Sequence, residues 1–327
     1  MKNNKIIATY IVVGGMVLIF LFDITAVLLR NQLERRIPVA PECFTSQGEA
    51  ARFHFLNVSN GDAILLESNG RFALIDAGWG SDNPIEAVRR PGYEARVLEY
   101  LRRVAADEDG TVHLDFVLPS HFHYDHAGGF PAILSDPDVQ VGRVYLPPRL
   151  EEGRANWYIH VIRQRMEDAA LARGFPVVED LPDKPFAFGA MTLRFLNTEY
   201  CIRRNENDNS IVVLAEYGAF RALLAGDIYA HHSGLEREIA RQVGGPVDLL
   251  KLPHHGYTLS TSIAFLRVLR PGLAIVTNFP GRVYPNVMWN LTFVSRTPYL
   301  STVQENGIIV TVSTDYQMVV TGDLHLS

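Results

Sequence analysis

The sequence predicts an α/β protein of four layers, αββα, in which two β-sheets pack face to face between outer helices, preceded by one membrane-spanning helix. Three observations support this prediction. Both halves of the chain contain short apolar strands separated by tight turns, helical segments lie between those strands, and a long apolar run stands near the N-terminus. With 47% hydrophobic and 20% charged residues, the chain has the composition of a protein that buries a sizeable core.

The charge balance and the cysteines exclude two classes of protein. A net charge of −6 and a pI near 6.0 argue against a surface that attracts nucleic acid everywhere. The candidates for a local basic patch are the arginine pairs at 89–90, 102–103 and 203–204, which we interpret as solvated surface charge. Cys43 and Cys201 make neither a disulfide framework nor a CxxC zinc pattern.

The N-terminal segment is predicted to anchor the protein in a membrane. From Ile6 to Leu29 the chain has 24 residues with a single charge, Asp23. That length is enough to cross ~30 Å of hydrocarbon at ~1.5 Å per residue. A cleaved signal peptide is the alternative, but the nearby Pro38-Val39-Ala40 has proline at the wrong place for a small-x-small cleavage site. We therefore expect an anchor over 1–30, a tether over 31–50 and one hydrolase domain over 51–327.

The side of the membrane that holds the domain stays open. Lys2, Lys5 and the terminal amine flank one end of the span, and Arg30, Arg35 and Arg36 flank the other. Basic residues in such similar numbers give no positive-inside bias.

The first half of the domain alternates strands and helices. Strands are predicted at Arg52–Val58, Ala63–Glu67, Arg71–Ile75 and Leu114–Leu118, and helices over Pro84–Ala106 and Asn156–Arg173.

The second half repeats this alternation. Strands are predicted at Met191–Leu196, Ile211–Tyr217, Arg221–Ala225, Asp248–Leu252, Leu273–Thr277, Gly307–Val312 and Tyr316–Thr321, and helices at Gly234–Gln242 and Thr261–Leu269. Two sheet-rich halves with helices between them fit the four-layer sandwich. A doubly wound parallel sheet is the alternative, and the many tight hairpin turns argue against it.

A cluster of metal-binding residue types follows the apolar strand Leu114–Leu118. His121, His123, Asp125 and His126 stand within six residues, and two glycines come directly after Ala127. Imidazole and carboxylate without thiolate suit Zn²⁺ or Mn²⁺. The alternate spacing lets His121 and His123 face one metal ion while Asp125 and His126 face its neighbour. A solvated histidine-rich loop is the alternative, and four ligand types in so short a run argue against it.

This run resembles the HxHxDH motif of the metallo-β-lactamase superfamily. From about Phe53 to the C-terminus, the chain is similar to the hydrolase domain of ComEC-type competence proteins. The similar segments are 55–63 (FLNVSNGDA), 74–78 (LIDAG), 205–214 (NENDNSIVVL), 224–228 (LAGDI) and 250–256 (LKLPHHG). Their order and spacing together carry the resemblance.

The resemblance implies further site residues. Asp227 ends an apolar strand after a glycine, where its carboxylate could bridge two metal ions. His255 is the favoured ligand of the pair His254-His255, while His254 would lie at the cavity mouth and contact a phosphoryl oxygen as a catalytic residue beside Asp125. Asp76 is expected to orient a ligand from behind it; a turn-stabilising aspartate is the alternative.

The chain also departs from the family pattern. The usual third-motif histidine is missing, because His160, in a predicted helix, is the one histidine between Ala127 and Asp227. Asn209 and Ser210 stand in its place, and we expect them to bind substrate. Asn57 replaces a common aspartate, Tyr257 replaces a common serine, and Tyr284-Pro285 stands where His-Pro is usual. These changes leave the metal site intact and affect the identity of the substrate.

The sequence thus predicts a hydrolase that uses two divalent ions, Zn²⁺ or Mn²⁺, and a metal-bridging hydroxide. The resemblance favours a phosphodiesterase or nuclease, with a phosphodiester-containing substrate that includes nucleic acid among the candidates and a choline-phosphate esterase as a variant. An amide or thioester hydrolase of the β-lactamase type is a second hypothesis, and the missing histidine argues against it. A non-catalytic membrane-bound binding module is the third.

Overall fold

A computed structural model describes residues 24–39, 51–85, 91–147, 156–198, 205–230 and 234–324. The strands are, in chain order, β1 (Ala51–Phe55), β2 (Ala63–Ser68), β3 (Arg71–Ala77), β4 (Val112–Leu114), β5 (Phe116–Leu118), β6 (Val139–Val141), β7 (Val144–Tyr145), β8 (Val177–Val178), β9 (Phe186–Phe188), β10 (Met191–Leu196), β11 (Val212–Tyr217), β12 (Phe220–Leu224), β13 (Leu249–Lys251), β14 (Leu273–Val276), β15 (Tyr299–Ser301), β16 (Ile308–Val312) and β17 (Met318–Gly322). After a helical segment over residues 24–34, the α-helices are α1 (Glu94–Ala105), α2 (Tyr124–Ala127), α3 (Phe130–Ser135), α4 (Trp157–Ala172), α5 (Leu235–Val243), α6 (Ile263–Leu269) and α7 (Pro285–Trp289).

Two large sheets form the centre of the domain. The first has the order β17-β16-β1-β2-β3-β5-β7-β8, and the second has the order β15-β14-β13-β12-β11-β10-β9. The parallel strands are grouped in each sheet: β3, β5, β7 and β8 in the first, and β12, β13, β14 and β15 in the second. The carboxyl ends of neighbouring parallel strands lie at one edge of a sheet, where side chains of several loops can meet.

The alternation of side chains along the strands explains the layers. In β11, Val213 and Ala215 pack between the two sheets, whereas Val212 and Leu214 pack under α5 and α6. In β2, Leu65 faces α1 and its neighbours Ile64 and Leu66 face the other sheet. Successive side chains of a strand point to opposite faces of the sheet. A strand that is buried on both faces therefore has a continuous run of apolar residues in its sequence. The layers are therefore helix, sheet, sheet, helix, which confirms the predicted α/β fold.

The predicted elements are present, with shifted ends. The apolar run 114–118 is split in two: β4 pairs with β6 in a small separate sheet, and β5 joins the first large sheet. Asp115 separates them, because its backbone N–H donates to Phe72 O and its carboxylate pairs with Arg71 (2.5 Å). Within the helix predicted over Pro84–Ala106, the described part holds a helix over Glu94–Ala105, which follows Pro91-Gly92-Tyr93; residues 86–90 lie outside the described ranges.

The segment in which the predicted anchor (1–30) meets the predicted tether (31–50) is partly structured. Residues 24–34 are helical and Leu33 is buried. The Arg30 guanidinium lies 4.8 Å from the Tyr299 ring centroid, and the Val320 N–H donates to Pro38 O (2.8 Å), so the segment packs on the domain. Most of the predicted anchor lies outside the described residues. Within the part of the chain that is described, none of the helices has both the length and the apolar character needed to cross a bilayer.

Candidate metal centre

The predicted ligands meet at the carboxyl ends of parallel strands from both sheets. The run from His121 to His126 follows β5, and Asp227 follows β12. His255 follows β13, within a tight turn in which His254 and His255 both adopt positive φ (48° and 52°). Chain segments far apart in the sequence therefore converge on one point, as is common at the carboxyl edge of α/β sheets.

The ligand atoms converge in two groups. In the first, Nε2 of His121 lies 3.0 Å from Nδ1 of His123. In the second, Nε2 of His126 lies 3.1 Å from Nε2 of His255, and the Asp227 Oδ2 atom lies 3.1 Å from the former and 3.2 Å from the latter. Asp125 Oδ2 is 3.4 Å from His255 Nε2. The rings of His121 and His126 are 4.2 Å apart, so the two groups are adjacent.

Two aspartates lie behind the histidine rings. Asp76 accepts a hydrogen bond from His126 Nδ1 (2.8 Å) and is held by the backbone N–H and the hydroxyl of Ser120. Asp62 Oδ1 is 3.3 Å from His255 Nδ1, and its Oδ2 is 3.6 Å from His126 Nδ1. Asp62 lies within 4.8 Å of the ligand group, but both its contacts are on the Nδ1 side. Asp62 therefore lies on the Nδ1 side of both rings, opposite the Nε2 atoms that meet Asp227.

A buried lysine compensates part of this negative charge. Lys251 is fully buried, and its ammonium contacts the carboxylate of Asp62, Oδ1 of Asp227 (3.3 Å) and the carbonyl of Gly226 (2.9 Å). Buried carboxylates are costly unless cations accompany them, so Lys251 stabilises the carboxylates of Asp62 and Asp227.

The pKa values divide the histidines into two kinds. Burial and the neighbouring imidazoles hold the pKa of His121 well below its ordinary range, and burial lowers that of His123, so both are neutral. Burial alone would do the same to His126, but the carboxylates of Asp227, Asp76 and Asp62 raise its pKa to about 10. The pKa of His255 is also raised, against its burial, chiefly by Asp227.

This donor set fits divalent metal ions. Neutral imidazoles are the form that binds metal, and His121 and His123 are in that form. At His126 and His255, the carboxylates favour a positive charge at the point where two Nε2 atoms and Asp227 Oδ2 converge. The buried cluster of aspartate and histidine residues therefore fits a binuclear metal site.

Comparison with known proteins agrees with this geometry. The sequence profile of the Metallo-beta-lactamase superfamily matches residues 56–276, which is more than half of the chain. The chain belongs to the metallo-beta-lactamase superfamily.

Among curated proteins, this metallo-beta-lactamase superfamily member is similar to two proteins in particular. It is 28% identical to Recombination protein 2 of Haemophilus influenzae over 226 residues, 68% of this chain and 24% of that protein. It is 24% identical to ComE operon protein 3 of Bacillus subtilis over 287 residues, 80% of this chain and 34% of that protein. The chain thus spans between a quarter and a third of the length of these relatives, and the ComEC-like resemblance is confirmed.

Among solved structures, the chain is similar to the metallo-beta-lactamase fold protein YhfI from Bacillus subtilis. The sequence identity is 14% and the TM-score is 0.47, and the match covers 78% of this chain and 96% of that one.

In this superfamily member, the place predicted for a third-motif histidine holds smaller side chains. The buried Ser210 Oγ lies 3.3 Å from His121 Nδ1 and accepts the Asp227 N–H (3.0 Å). Asn209 is not brought to the cluster, since its amide donates to Glu206 (2.9 Å). Asn207 takes the position beside His123 instead: its Nδ2 donates to the hydroxyl of Tyr229 (2.8 Å), and its buried Oδ1 has no hydrogen-bond partner among the described residues.

The remaining predicted residues lie outside the cluster. The ring of His254 is 6.1 Å from that of His255 and faces Tyr229 and Tyr257, with its Nδ1 buried and without a hydrogen-bond partner among the described residues. Burial lowers the pKa of His254 to about 4, which keeps it neutral. His160 is half-buried within α4.

Sequence reasoning missed Asp62, Lys251 and Asn207. Each lies within a segment that resembles the family, NGDA, LKLPHH and NDNS. A polar residue inside or beside an apolar strand was the available signal, most clearly for Lys251 at the end of β13.

Proposed function

We propose that this chain is a metal-dependent phosphodiesterase or nuclease anchored to a membrane by its N-terminal segment. The observation that carries the proposal is the unequal surroundings of the two ligand groups. The second group has His126, His255, Asp125 and Asp227, whereas the first has His121 and His123 with Ser210 and Asn207 beside them. A site with two imidazoles and no third leaves room for an oxygen of a phosphodiester.

The proposed ligands are His121 and His123 for one ion, Asp125, His126 and His255 for the other, and Asp227 between them. Asp76 and Asp62 hold the rings from the Nδ1 side, and Lys251 holds the carboxylates of Asp62 and Asp227 in place. When bound, divalent ions such as Zn²⁺ or Mn²⁺ supply a water-derived nucleophile at neutral pH and stabilise charge on phosphoryl oxygens.

The residues proposed to contact the substrate are uncharged hydrogen-bond donors. His254 is neutral and its ring lies 6.1 Å from that of His255, so it is suited to donate a hydrogen bond to a phosphoryl oxygen at the mouth of the site. The amide of Asn207 lies beside His123, where it can contact the substrate, as was expected of Asn209. The buried Ser210, expected to do the same, instead holds His121 from its Nδ1 side and accepts the Asp227 N–H.

The experiment measures hydrolysis by the full-length protein, purified in detergent. A phosphodiester substrate, a β-lactam and a thioester are compared before and after treatment with a chelator, and after Zn²⁺ or Mn²⁺ is restored. Chelator-sensitive hydrolysis of the phosphodiester alone supports the proposal. Preference for the lactam or thioester favours the amide or thioester hydrolase, and binding without any hydrolysis favours a non-catalytic module.

The anchor is tested separately by sequencing the N-terminus of the mature protein isolated from membranes. A retained Ile6–Leu29 segment supports anchorage, because it is long enough to span the hydrocarbon. A mature N-terminus beyond Ala40 contradicts it.

A further inference from the structure

Two departures from the family pattern lie in contact with each other. Tyr257 stands where serine is common and Tyr284 where histidine is usual, and their rings pack edge to face, 5.8 Å apart with planes at 86°. The Tyr284 N–H donates to the carbonyl of Gly256 (3.0 Å), so the two loops are tied together. Two replacements that are 27 positions apart in the sequence therefore make one aromatic corner.

The aromatic corner, Tyr257 and Tyr284, is adjacent to the metal centre. The ring of Tyr257 is 6.2 Å from that of the ligand His255 and 5.3 Å from that of His254. Tyr284 is 42% exposed, so one part of its ring is open to solvent. Tyr257 therefore lies between His254, the residue proposed to contact the phosphodiester, and the exposed ring of Tyr284.

The loop that carries Tyr284 also carries a free cation. It begins at Thr277, whose hydroxyl is 2.9 Å from His255 Nδ1, and runs outward through Phe279 and Arg282. Phe279 is 38% exposed, and the Arg282 guanidinium lies 5.1 Å from its ring centroid. Within the described ranges of the chain, Arg282 has no carboxylate partner, so its charge is available to an anionic ligand.

We propose that the aromatic corner is a subsite for the base of a single-stranded nucleic acid whose phosphodiester lies in the metal centre. Single-stranded nucleic acids bind where aromatic rings stack on bases and a cation follows the backbone. The corner supplies the rings and Arg282 supplies the charge. A duplex keeps its bases stacked inside, so the subsite favours single strands or strand ends. This inference rests on the proposed phosphodiesterase activity and names its substrate class.

A quaternary ammonium group is the other ligand that aromatic rings bind. The position of Arg282 argues against it, because a guanidinium on the same loop repels a cationic ligand and attracts phosphate. The corner therefore fits a base on an anionic backbone better than it fits a choline-like group.

The test measures binding separately from hydrolysis. Full-length, metal-loaded protein is titrated into a fluorescein-labelled oligothymidylate with phosphorothioate linkages, which resist cleavage, and into the same backbone with abasic sugars. Tyr284→Ala should raise Kd for the oligothymidylate by roughly 5- to 150-fold, the effect of losing one base–aromatic stack. It should leave Kd for the abasic strand unchanged, and Tyr284→Phe, which keeps the ring, should bind like the parent protein.

Tyr316→Ala is the matched control, since Tyr316 is also 42% exposed but lies in the turn between β16 and β17. An equal loss of affinity for both strands, or no loss for either, overturns the subsite. Displacement of the oligothymidylate by phosphocholine in a Tyr284-dependent manner overturns it in favour of a cation site. Tyr284-dependent binding of bases without hydrolysis of unmodified DNA or RNA supports the subsite and contradicts the phosphodiesterase activity.

Discussion

The carboxylate of Asp76 contacts Nδ1 of His126 at 2.8 Å, on the side of the ring opposite the ligand group. A ligating histidine that donates its second N–H to a carboxylate has its tautomer and its orientation set by that bond. Asp76 also adopts a positive φ of 56°, which turns its side chain out of β3. Asparagine and aspartate tolerate this conformation better than other side chains that carry a Cβ atom.

We expect Asp76→Asn to weaken metal binding by about 10- to 100-fold, since the ring of His126 loses its charged partner while the backbone keeps a tolerated residue. Competition with a chromogenic chelator measures the affinity. Asp107→Asn is the control, because Asp107 makes a contact of the same 2.8 Å length with His113 on the surface. Equal metal affinity in both variants and in the parent protein would show that Asp76 does not support the ligand.

Asp227→Ala should abolish hydrolysis and release at least one metal ion. Asp227 Oδ2 is within 3.2 Å of Nε2 of both His126 and His255, so its removal takes away the carboxylate that these two imidazoles share. Metal content per chain and phosphodiester turnover are both measured. His160→Ala, within α4, should change neither. A comparable loss of metal and activity in His160→Ala would mean that the third-motif histidine is present after all, and the β-lactamase-type activity would regain support.

Lys251→Met should lower the free energy of unfolding by about 3–5 kcal/mol in the presence of a chelator, because it leaves the buried carboxylates of Asp62 and Asp227 without their ammonium. Urea denaturation measures this change. Added Zn²⁺ or Mn²⁺ should reduce the loss, since bound cations neutralise the same carboxylates. Lys184→Met, at an exposed position, serves as control. If added metal does not reduce the loss of unfolding free energy, Lys251 does not stabilise the protein through the metal centre.

The buried Glu236 should make stability fall as pH rises from about 4.5 to about 7. Burial raises its pKa to about 7, although it accepts the backbone N–H groups of Thr261 (2.5 Å) and Ser262 (2.8 Å). Between these pH values the folded protein holds a proton that the unfolded chain has lost, so the contribution is full below 4.5 and lost above 7.

The expected size of this effect is about 3 kcal/mol, from a shift of roughly 2.5 pKa units. Urea unfolding at pH 5 and pH 8 should show the parent protein losing about 2.5 kcal/mol of this relative to Glu236→Gln, which stays uncharged, because the unfolded chain has already lost part of its proton at pH 5. Glu238→Gln, on the same helix but exposed, should follow the parent protein. A constant difference between the parent protein and Glu236→Gln across this range would contradict the assignment.

The sequence by itself determined the fold class and indicated much of the candidate metal centre. The fold could be predicted because apolar residues are spaced differently in the two kinds of element. They form continuous runs in strands buried on both faces, and they recur every three to four residues in helices with one apolar face. His121, His123, Asp125 and His126 were readable because ligands crowded into one strand-end loop have few other uses. Asp227 and His255 followed from the resemblance to ComEC-type proteins, since each stands in its own recognisable segment.

Only the tertiary structure decided which polar groups face one another. Asp62 and Lys251 are 189 positions apart in the sequence, and their contact exists because β13 and the turn before β2 belong to two sheets that meet at one edge. The packing of the sheets also places Asn207 beside His123, whereas the sequence analysis predicted Asn209. It likewise brings Tyr257 into contact with Tyr284. Local patterns record which elements a segment forms, whereas the packing of sheets determines which loop ends meet.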